Sequence, residues 1–497
     1  MTVATEASPG TTSAARRTLR DVVFVEGVRT PFGKARPDGL YAETRADDLV
    51  VKAVRELLRR HPELPPERID EVAIAATTQQ GDQGLTLGRT VGVLAGLPAT
   101  VPGYAIDRMC AGAMTAVTTT ASGIAMGAQE VVIAGGVEHM GHHPMGVGAE
   151  PNPRFVSERL VDSEALNMGV TAENLHDKFP HLTKERADAY AVNSQVKYAK
   201  ALANGDVGPE IVPVAVRSSE RGWGLATADE LPRPDTTVEG IRDLKTPFRP
   251  GGRVTAGNAS PLTDGATASL LAAGDVAEEL GLPVAMRMVS FAFAGVAPEI
   301  MGYGPVPSTD KALAQAGLTI DDIGLFEINE AFAVQVLSFL DHYGIADDDE
   351  RVNPYGGAIA MGHPLAGSGV RLMTQLARGL LLGQDAAGRA VVQAGRVARG
   401  DPAVRAERRL ERGEVVDGGA GARRLVGRGQ SPALFDAAGG DRDQVLLDPP
   451  GLVRRLELVL AGDRVGVGAL LGDLRELVVQ VLGGRAHHQG GGVHQLL

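Results

Sequence analysis

Residues 106–127 read I-D-R-M-C-A-G-A-M-T-A-V-T-T-T-A-S-G-I-A-M-G and contain Cys110, the one cysteine of the chain. Ala111, Met114, Val117, Ala121 and Ile124 fall on one helical stripe, while Ala113, Ala116 and Ala125 fill other faces. A helix apolar nearly all round is a buried one. Cys110 is therefore expected at or just before the start of a buried helix, where unpaired N–H groups and the positive dipole end favour an anion. That placement is expected to lower the pKa of the thiol and favour the thiolate, the nucleophilic form. The plainer alternative is a small buried hydrophobe, the commoner role of a lone cysteine. The surrounding Gly and Ala residues and the preceding V-P-G-Y-A-I-D-R-M turn favour the nucleophile.

The 497 residues, 44% of them hydrophobic, suffice for a large core and more than one domain. Aromatic residues are scarce and Gly and Ala abundant, which suits closely packed helices and strands. A net charge of −12 argues against nucleic acid, whose binding needs a basic surface. One cysteine excludes a disulfide within the chain and fits a reducing cytoplasm. No apolar run approaches membrane length, and the Ser-, Thr-, Ala- and Gly-rich residues 1–19 read as a disordered leader. The expectation is a cytoplasmic protein with no membrane and no nucleic-acid partner.

Residues 21–28 (D-V-V-F-V-E-G-V) form a buried strand by their β-branched run, ended by R-T-P-F-G at 29–33. Residues 46–60 are an amphipathic helix, 69–76 (I-D-E-V-A-I-A-A) a second strand, 86–96 another helix and 130–135 a third strand. Strands alternating with helices predict an α/β fold with largely parallel pairing. From about 139 to 255 Pro, Asn, Met and charged residues rise, as expected for an inserted loop domain or lid. Residues 255–272 return to small residues and a closing strand.

The second half repeats the first. Residues 318–328 echo 66–75 at an offset of 251 (Ile320 against Ile69), and Gly362-His363-Pro364 opens a small-residue helix as Cys110 does, at an offset of 253. The pattern predicts a duplicated fold with reactive groups at equivalent helix starts. The expected divisions are 20–138 with 256–283 as the first half, 139–255 as the insert and 284–381 as the second half. Residues 382–497 contain no Ile, Lys, Met, Asn, Thr, Tyr, Trp or Cys. Folded domains rarely discard eight residue types over such a length, so this tail reads as a shifted reading frame or a misplaced stop rather than an evolved continuation.

His139, His142 and His143 (H-M-G-H-H) suggest a metal site only weakly, since no carboxylate or Cys partner accompanies them in sequence. No G-x-x-x-x-G-K-[ST] occurs, which argues against a P-loop site. No metal and no resident cofactor are expected.

Three further stretches stand out beside Cys110: R-T-P-F-G, N-E-A-F-A at 329–333, and G-G-A-I-A-M-G-H-P-L-A-G-S-G at 356–369. With M-G-V-T-A-E-N at 168–174 and G-N-A-S at 257–260, they make the chain resemble the thiolase family from about residue 20 to 381. Within it the likeness is to degradative 3-ketoacyl-CoA thiolases of fatty-acid oxidation. The resemblance implies a duplicated α-β-α-β-α layered fold and thiolytic cleavage of 3-ketoacyl-CoA by coenzyme A, through a thioester on Cys110. It implies that His363 is the base for the thiols and that Asn329 holds a water in an oxyanion hole shared with His363. Met168, Arg233, Ala256, Ser260 and Phe332 match positions lining coenzyme A, which is a substrate. It also implies a homodimer or homotetramer, with a hydratase/dehydrogenase as a potential partner. Taken singly, Asn329 reads as a helix N-cap, His363 as a satisfied loop histidine, and Met168 or Phe332 as core.

The resemblance breaks at one point. Thiolases carry a second cysteine in a C-x-G motif near the C-terminus, and this chain has none. The break falls where the composition changes, so the second half is expected to lack its final strands. Residues 389–394 are expected as a strand without a fixed register. Besides thiolysis, two readings stay open: a biosynthetic acetoacetyl-CoA thiolase and a non-catalytic acyl-CoA-binding relative.

Overall fold

The computed structural model describes residues 19–218 and 222–381 together with the backbone of 389–392 and 395–398. The chain divides into two units, Met1–Val415 and Val416–Leu497, and every described residue lies in the first. Of the expected leader at 1–19 all but Leu19 lies outside the described residues, as does the expected tail at 382–497 apart from 389–392 and 395–398.

Among the described residues twelve strands form: β1 Val22–Arg29, β2 Gly33–Lys34, β3 Glu71–Ala75, β4 Gly103–Ile106, β5 Val131–His139, β6 Val214–Ser218, β7 Gly222–Ala226, β8 Thr263–Ala273, β9 Met286–Ser290, β10 Leu325–Glu327, β11 Arg389–Val392 and β12 Gly395–Ala398. Nine follow one hydrogen-bonded path, β10-β11-β12-β9-β1-β8-β5-β3-β4, with β2 on β8, while β6 and β7 make a separate hairpin. The expectation of largely parallel pairing fails here. Only β3–β4, β3–β5 and β10–β11 are parallel, and β8 runs antiparallel to both β1 and β5. The physical reason is the connection into β8. It follows a long insert rather than a crossover helix, so the chain is free to return from the opposite end of the sheet. Residues 103–106, read from sequence as part of a turn, form the edge strand β4.

The duplication is visible element by element. A one-turn helix at Pro66–Arg68 precedes β3, and one at Ile320–Asp322 precedes β10. The helices Gly112–Ala125 and Ser368–Leu381 are the two central elements, packed on one another. The first lies on β3 and β5, the second on β1, β10 and β11, and Ala46–Arg60 covers the first half's strands. This is the layering that the repeat predicts. Small residues make it sterically feasible: a Cβ on Gly369 would overlap the backbone of Met114, and one on Gly136 would come 2.5 Å from the Ala366 carbonyl oxygen.

The second half does not stop at Leu381. β11 pairs parallel with β10 (Leu325↔Ala390), β12 turns back antiparallel on β11, and β12 pairs with β9. The expected loss of the final strands is thus corrected. The short runs of apolar and β-branched residues in R-A-V-V and G-R-V-A suffice for strand pairing, which asks for residue type rather than for a particular sequence.

The insert is tied to the rest by buried charge and by a shared core. Ala172, Leu175, Ala187 and Tyr190 pack in one cluster with Phe326, Val336, Leu337 and Phe339. Arg29, wholly buried at the end of β1, donates to Glu210 Oε1 (2.6 Å) and to both oxygens of Asp229 (2.6 and 2.9 Å). The Tyr198 hydroxyl completes the group on Asp229 at 2.5 Å. Breaking a buried ion group by removing one partner leaves uncompensated charge, at a cost of about 3–5 kcal/mol. Arg29→Met is therefore expected to lower stability by about that amount in urea denaturation. A loss below about 1 kcal/mol would mean that the two carboxylates find other partners or protonate without cost.

Candidate active site

Cys110 lies in a one-turn helix, Met109–Ala111, immediately before Gly112–Ala125. Met109 holds a left-handed backbone (φ 47°), and its N–H donates to Asp107 Oδ1 at 2.6 Å, which shapes the approach to the thiol. The placement matches the sequence expectation, but the electrostatics do not. Burial pushes the Cys110 thiol up to about 12, the Glu138 carboxylate adds to the rise, and the residue's own N–H offsets only part of it. Desolvation of a thiolate outweighs a helix start here. The resting thiol is neutral, and it would need a base to act as a nucleophile.

Cys110 opens on a cavity of about 1080 Å³ lined also by Met114, Met145, Met168, Phe293 and Asn329. Asn329 lies two residues beyond β10 and does not cap a helix: the following helix, Ala333–Tyr343, has Phe332 at its N-cap. The amide of Asn329 instead reaches His363, with Nδ2 donating to Nε2 at 3.2 Å. On its other side Oδ1 accepts from Arg371 Nη2 at 3.2 Å.

His363 is 3% exposed and lies behind Asn329 rather than on the cavity wall. Its backbone N–H donates to Thr263 Oγ1 (2.9 Å) at the start of β8, and Nδ1 meets Ser368 Oγ at 2.5 Å. The glycine-rich loop is therefore a packed one, contrary to the look of its sequence. Burial, with the Arg371 charge assisting, lowers His363 to about 3, so the imidazole is neutral at physiological pH. Glu138 holds the loop from the first half. Its carboxylate accepts from the N–H groups of Thr77 (3.2 Å) and Ala366 (3.3 Å) and from Gln83 Nε2 (3.1 Å).

The five residues matched to coenzyme A contacts are spread unevenly. Met168 lines the cavity. Ser260 adjoins it, its N–H and Oγ both donating to the Ala331 carbonyl at 3.0 and 3.2 Å. Phe332 bridges to Ala259 and stands edge-on to Phe248, its ring 6.4 Å away. Ala256 is exposed on the loop before Asn258, and Arg233 is exposed with its N–H on Gln195 Oε1 at 2.9 Å.

The histidine cluster differs from its sequence reading. A carboxylate partner does exist, brought from far along the chain: Asp82 takes His142 Nδ1 at 2.9 Å and His143 Nε2 at 2.5 Å. His139 and His142 stack with centroids 3.6 Å apart, and Asp82 also accepts the N–H of Ala46 at the start of a helix. No group of three or more His, Cys, Asp or Glu side chains among the described residues is arranged to hold a metal ion. Sequence reasoning missed Glu138, Ser368 and Arg371. The signal for Arg371 was present, a lone charge in the apolar run G-V-R-L-M.

A neutral thiol on a large cavity, an amide beside it and a neutral imidazole behind that amide are the parts of a cysteine-based acyl-transfer site on a duplicated α/β fold. Residues 22–275 match the thiolase N-terminal domain and residues 282–400 the thiolase C-terminal domain. The chain belongs to the thiolase family, a family of acyltransferase enzymes. It is 42% identical over 360 residues to a 3-ketoacyl-CoA thiolase of Aliivibrio fischeri, covering 72% of this chain and 92% of that one. The crystal structure of human mitochondrial 3-ketoacyl-CoA thiolase is similar at a TM-score of 0.68 and 33% identity, over 77% of this chain and 98% of that one. That of Bacillus anthracis acetyl-CoA acetyltransferase is similar at 0.67 and 34%, over 76% and 96%.

The raised Cys110 value gives a direct test. At pH 7 its alkylation by iodoacetamide is expected to be slower than that of free cysteine, whose pKa is about 8.5, and to climb as the pH passes 9. A rate at pH 7 equal to or above that of free cysteine would show a resting thiolate. The depressed His363 value contributes stability above the unfolded value of about 6.5 that is lost as pH falls towards 3, so His363→Asn is expected to flatten the loss of stability across that window.

Proposed function

We propose that this protein cleaves 3-ketoacyl-CoA with coenzyme A, giving acetyl-CoA and a shortened acyl-CoA through a thioester on Cys110. The observation that carries this reading is the shared cavity of Cys110 and Asn329, with a neutral His363 at 3.2 Å behind the amide. Cys110 gives its proton to His363 as the sulfur bonds to the 3-keto carbon. The C2–C3 bond then breaks, and the acetyl-CoA carbanion takes at C2, by way of water, the proton held by His363, which returns the imidazole to its neutral form. Coenzyme A next attacks the thioester. Its S–C bond forms as the Cys110 S–C bond breaks, and the thiol proton returns to Cys110 by way of His363. Backbone N–H groups near Cys110 and the Asn329 site supply donors where carbonyl oxygens gain charge. Coenzyme A is a substrate and no resident cofactor is needed. The residues matched to its binding are Met168, Arg233, Ala256, Ser260 and Phe332. We place this activity in fatty-acid oxidation, in the cytoplasm. No described helix is long and apolar enough to cross a membrane. Self-association into a homodimer or homotetramer is supported by β4, an edge strand with partly exposed residues at the end of the sheet path.

The single cysteine divides the two half-reactions. Acylation of Cys110 by an acyl-CoA needs only the thiol, the base and an oxyanion site. Carbon–carbon cleavage also needs an acid at C2, and positioned acid–base help is worth about 10²–10⁴-fold. The same observation favours a second reading, an acyl-CoA-binding relative without cleavage activity. Acetyl-CoA is expected to label Cys110 by one acetyl group in intact-mass measurements, and Cys110→Ala is expected to take up none. Steady-state cleavage of 3-ketoacyl-CoA is expected to run at least about 100-fold below acylation. Restoring the family's C-x-G segment after residue 381 is expected to close that gap. Absence of labelling in the unaltered chain would remove the acyltransferase reading.

A further inference from the structure

We propose that Arg371 is a positioning residue that fixes the amide of Asn329, and through it the tautomer of His363, so that the imidazole keeps an unprotonated Nε2 as the base. The inference rests on the acyl-transfer role proposed for His363 and deepens it.

An asparagine amide has two ends of nearly equal shape, and only its partners decide which end points where. A guanidinium donates and never accepts. Since Arg371 Nη2 lies 3.2 Å from one end of the Asn329 amide, that end is Oδ1. The NH2 end is left for His363 Nε2, also at 3.2 Å. An amide NH2 can only donate, so Nε2 carries the lone pair. In a neutral imidazole the proton then sits on Nδ1, which donates to Ser368 Oγ at 2.5 Å. The chain Arg371–Asn329–His363–Ser368 thus has one consistent direction of donation. A base for the Cys110 thiol requires this state, because the opposite tautomer has no lone pair at Nε2.

Stability does not account for Arg371. Its side chain is 0% exposed, and its carboxylate partner, Glu327 Oε2, lies 3.7 Å from Nη1, longer than a hydrogen-bonded pair. Nη1 also donates to Gln375 Oε1 at 3.1 Å, which holds the guanidinium plane. Burying a charge with so loose a counter-ion is a poor way to stabilise a fold. The planar fork can reach Gln375 and Asn329 together, which the single ammonium of lysine cannot.

The test uses the full chain and the variants Arg371→Met, Arg371→Lys and the double variant Glu327→Gln/Arg371→Met, the last removing any unpaired carboxylate that would unfold the single one. Nitrogen-15 NMR of histidine-labelled protein, with His363 assigned by His363→Asn, reads the tautomer independently of activity. The unaltered chain is expected to show protonated Nδ1 and bare Nε2, and both Met variants a mixture of tautomers. Single-turnover acylation of Cys110 by acetyl-CoA is expected to fall by up to about 100-fold at saturation in the Met variants, with the half-saturating concentration unchanged. Arg371→Lys is expected to recover part of the rate. A folded double variant with the original tautomer and the original rate would overturn the proposal. If the unaltered chain were not acylated at all, the functional reading would fail, while the tautomer of the Met variants would still decide the role of Arg371.

Discussion

The close approach of two helix starts governs this structure. Gly112 and Met114 on one side meet Ala366 and Gly369 on the other, at separations that leave no room for an added methyl group. That contact joins the two halves, whose strands share one hydrogen-bonded path. It brings a loop from residues 362–367 to within reach of Cys110, which is more than 250 positions earlier in the chain. The loop is then gripped from three directions. Thr263 at the start of β8 binds its His363 N–H, Thr267 binds the Gly367 carbonyl, and Glu138 at the end of β5 takes the Ala366 N–H. A loop held in this way is supported by strand residues rather than by other loops.

Burial sets the chemistry of the resting site. The same low-dielectric surroundings push the Cys110 thiol up and the His363 imidazole down, so each prefers its neutral form. A thiolate–imidazolium pair is therefore not the ground state. In the proposed mechanism, proton transfer awaits a carbonyl carbon that takes the sulfur's electrons while oxyanion donors receive the charge. This differs from a cysteine activated by a helix dipole alone, and it protects a lone thiol from adventitious oxidation, which follows thiolate character.

The insert is a wall rather than a separate body. Its helices Met168–Lys178 and Lys184–Asn204 share core residues with the second half, and Glu330 ties Tyr190, Ser194, Asn353 and the Ile359 N–H at 2.7–3.1 Å. Glu330 follows Asn329 directly, so the clamp that anchors the insert also anchors the proposed oxyanion residue. Met168 and the 145–149 segment bring the insert's apolar side to the cavity that holds Cys110.

Much of this was legible in the sequence because it depends on local pattern. Strand and helix order, the buried helix after Cys110, the repeat and the set of short motifs follow from spacing and residue type within a few turns. The single thiol is a matter of composition. Other features required residues far apart in the chain to meet, and no local pattern contains that. The antiparallel entry of β8 depends on how a long insert returns, and the pairing of β11 on an open strand edge. Asp82 reaches the 139–143 histidines only through the fold. The rise of the Cys110 pKa, the neutrality of His363 and the place of Arg371 behind Asn329 are likewise tertiary. A pKa answers to the depth of solvent exclusion and to charges that packing brings near, and only the assembled structure decides those.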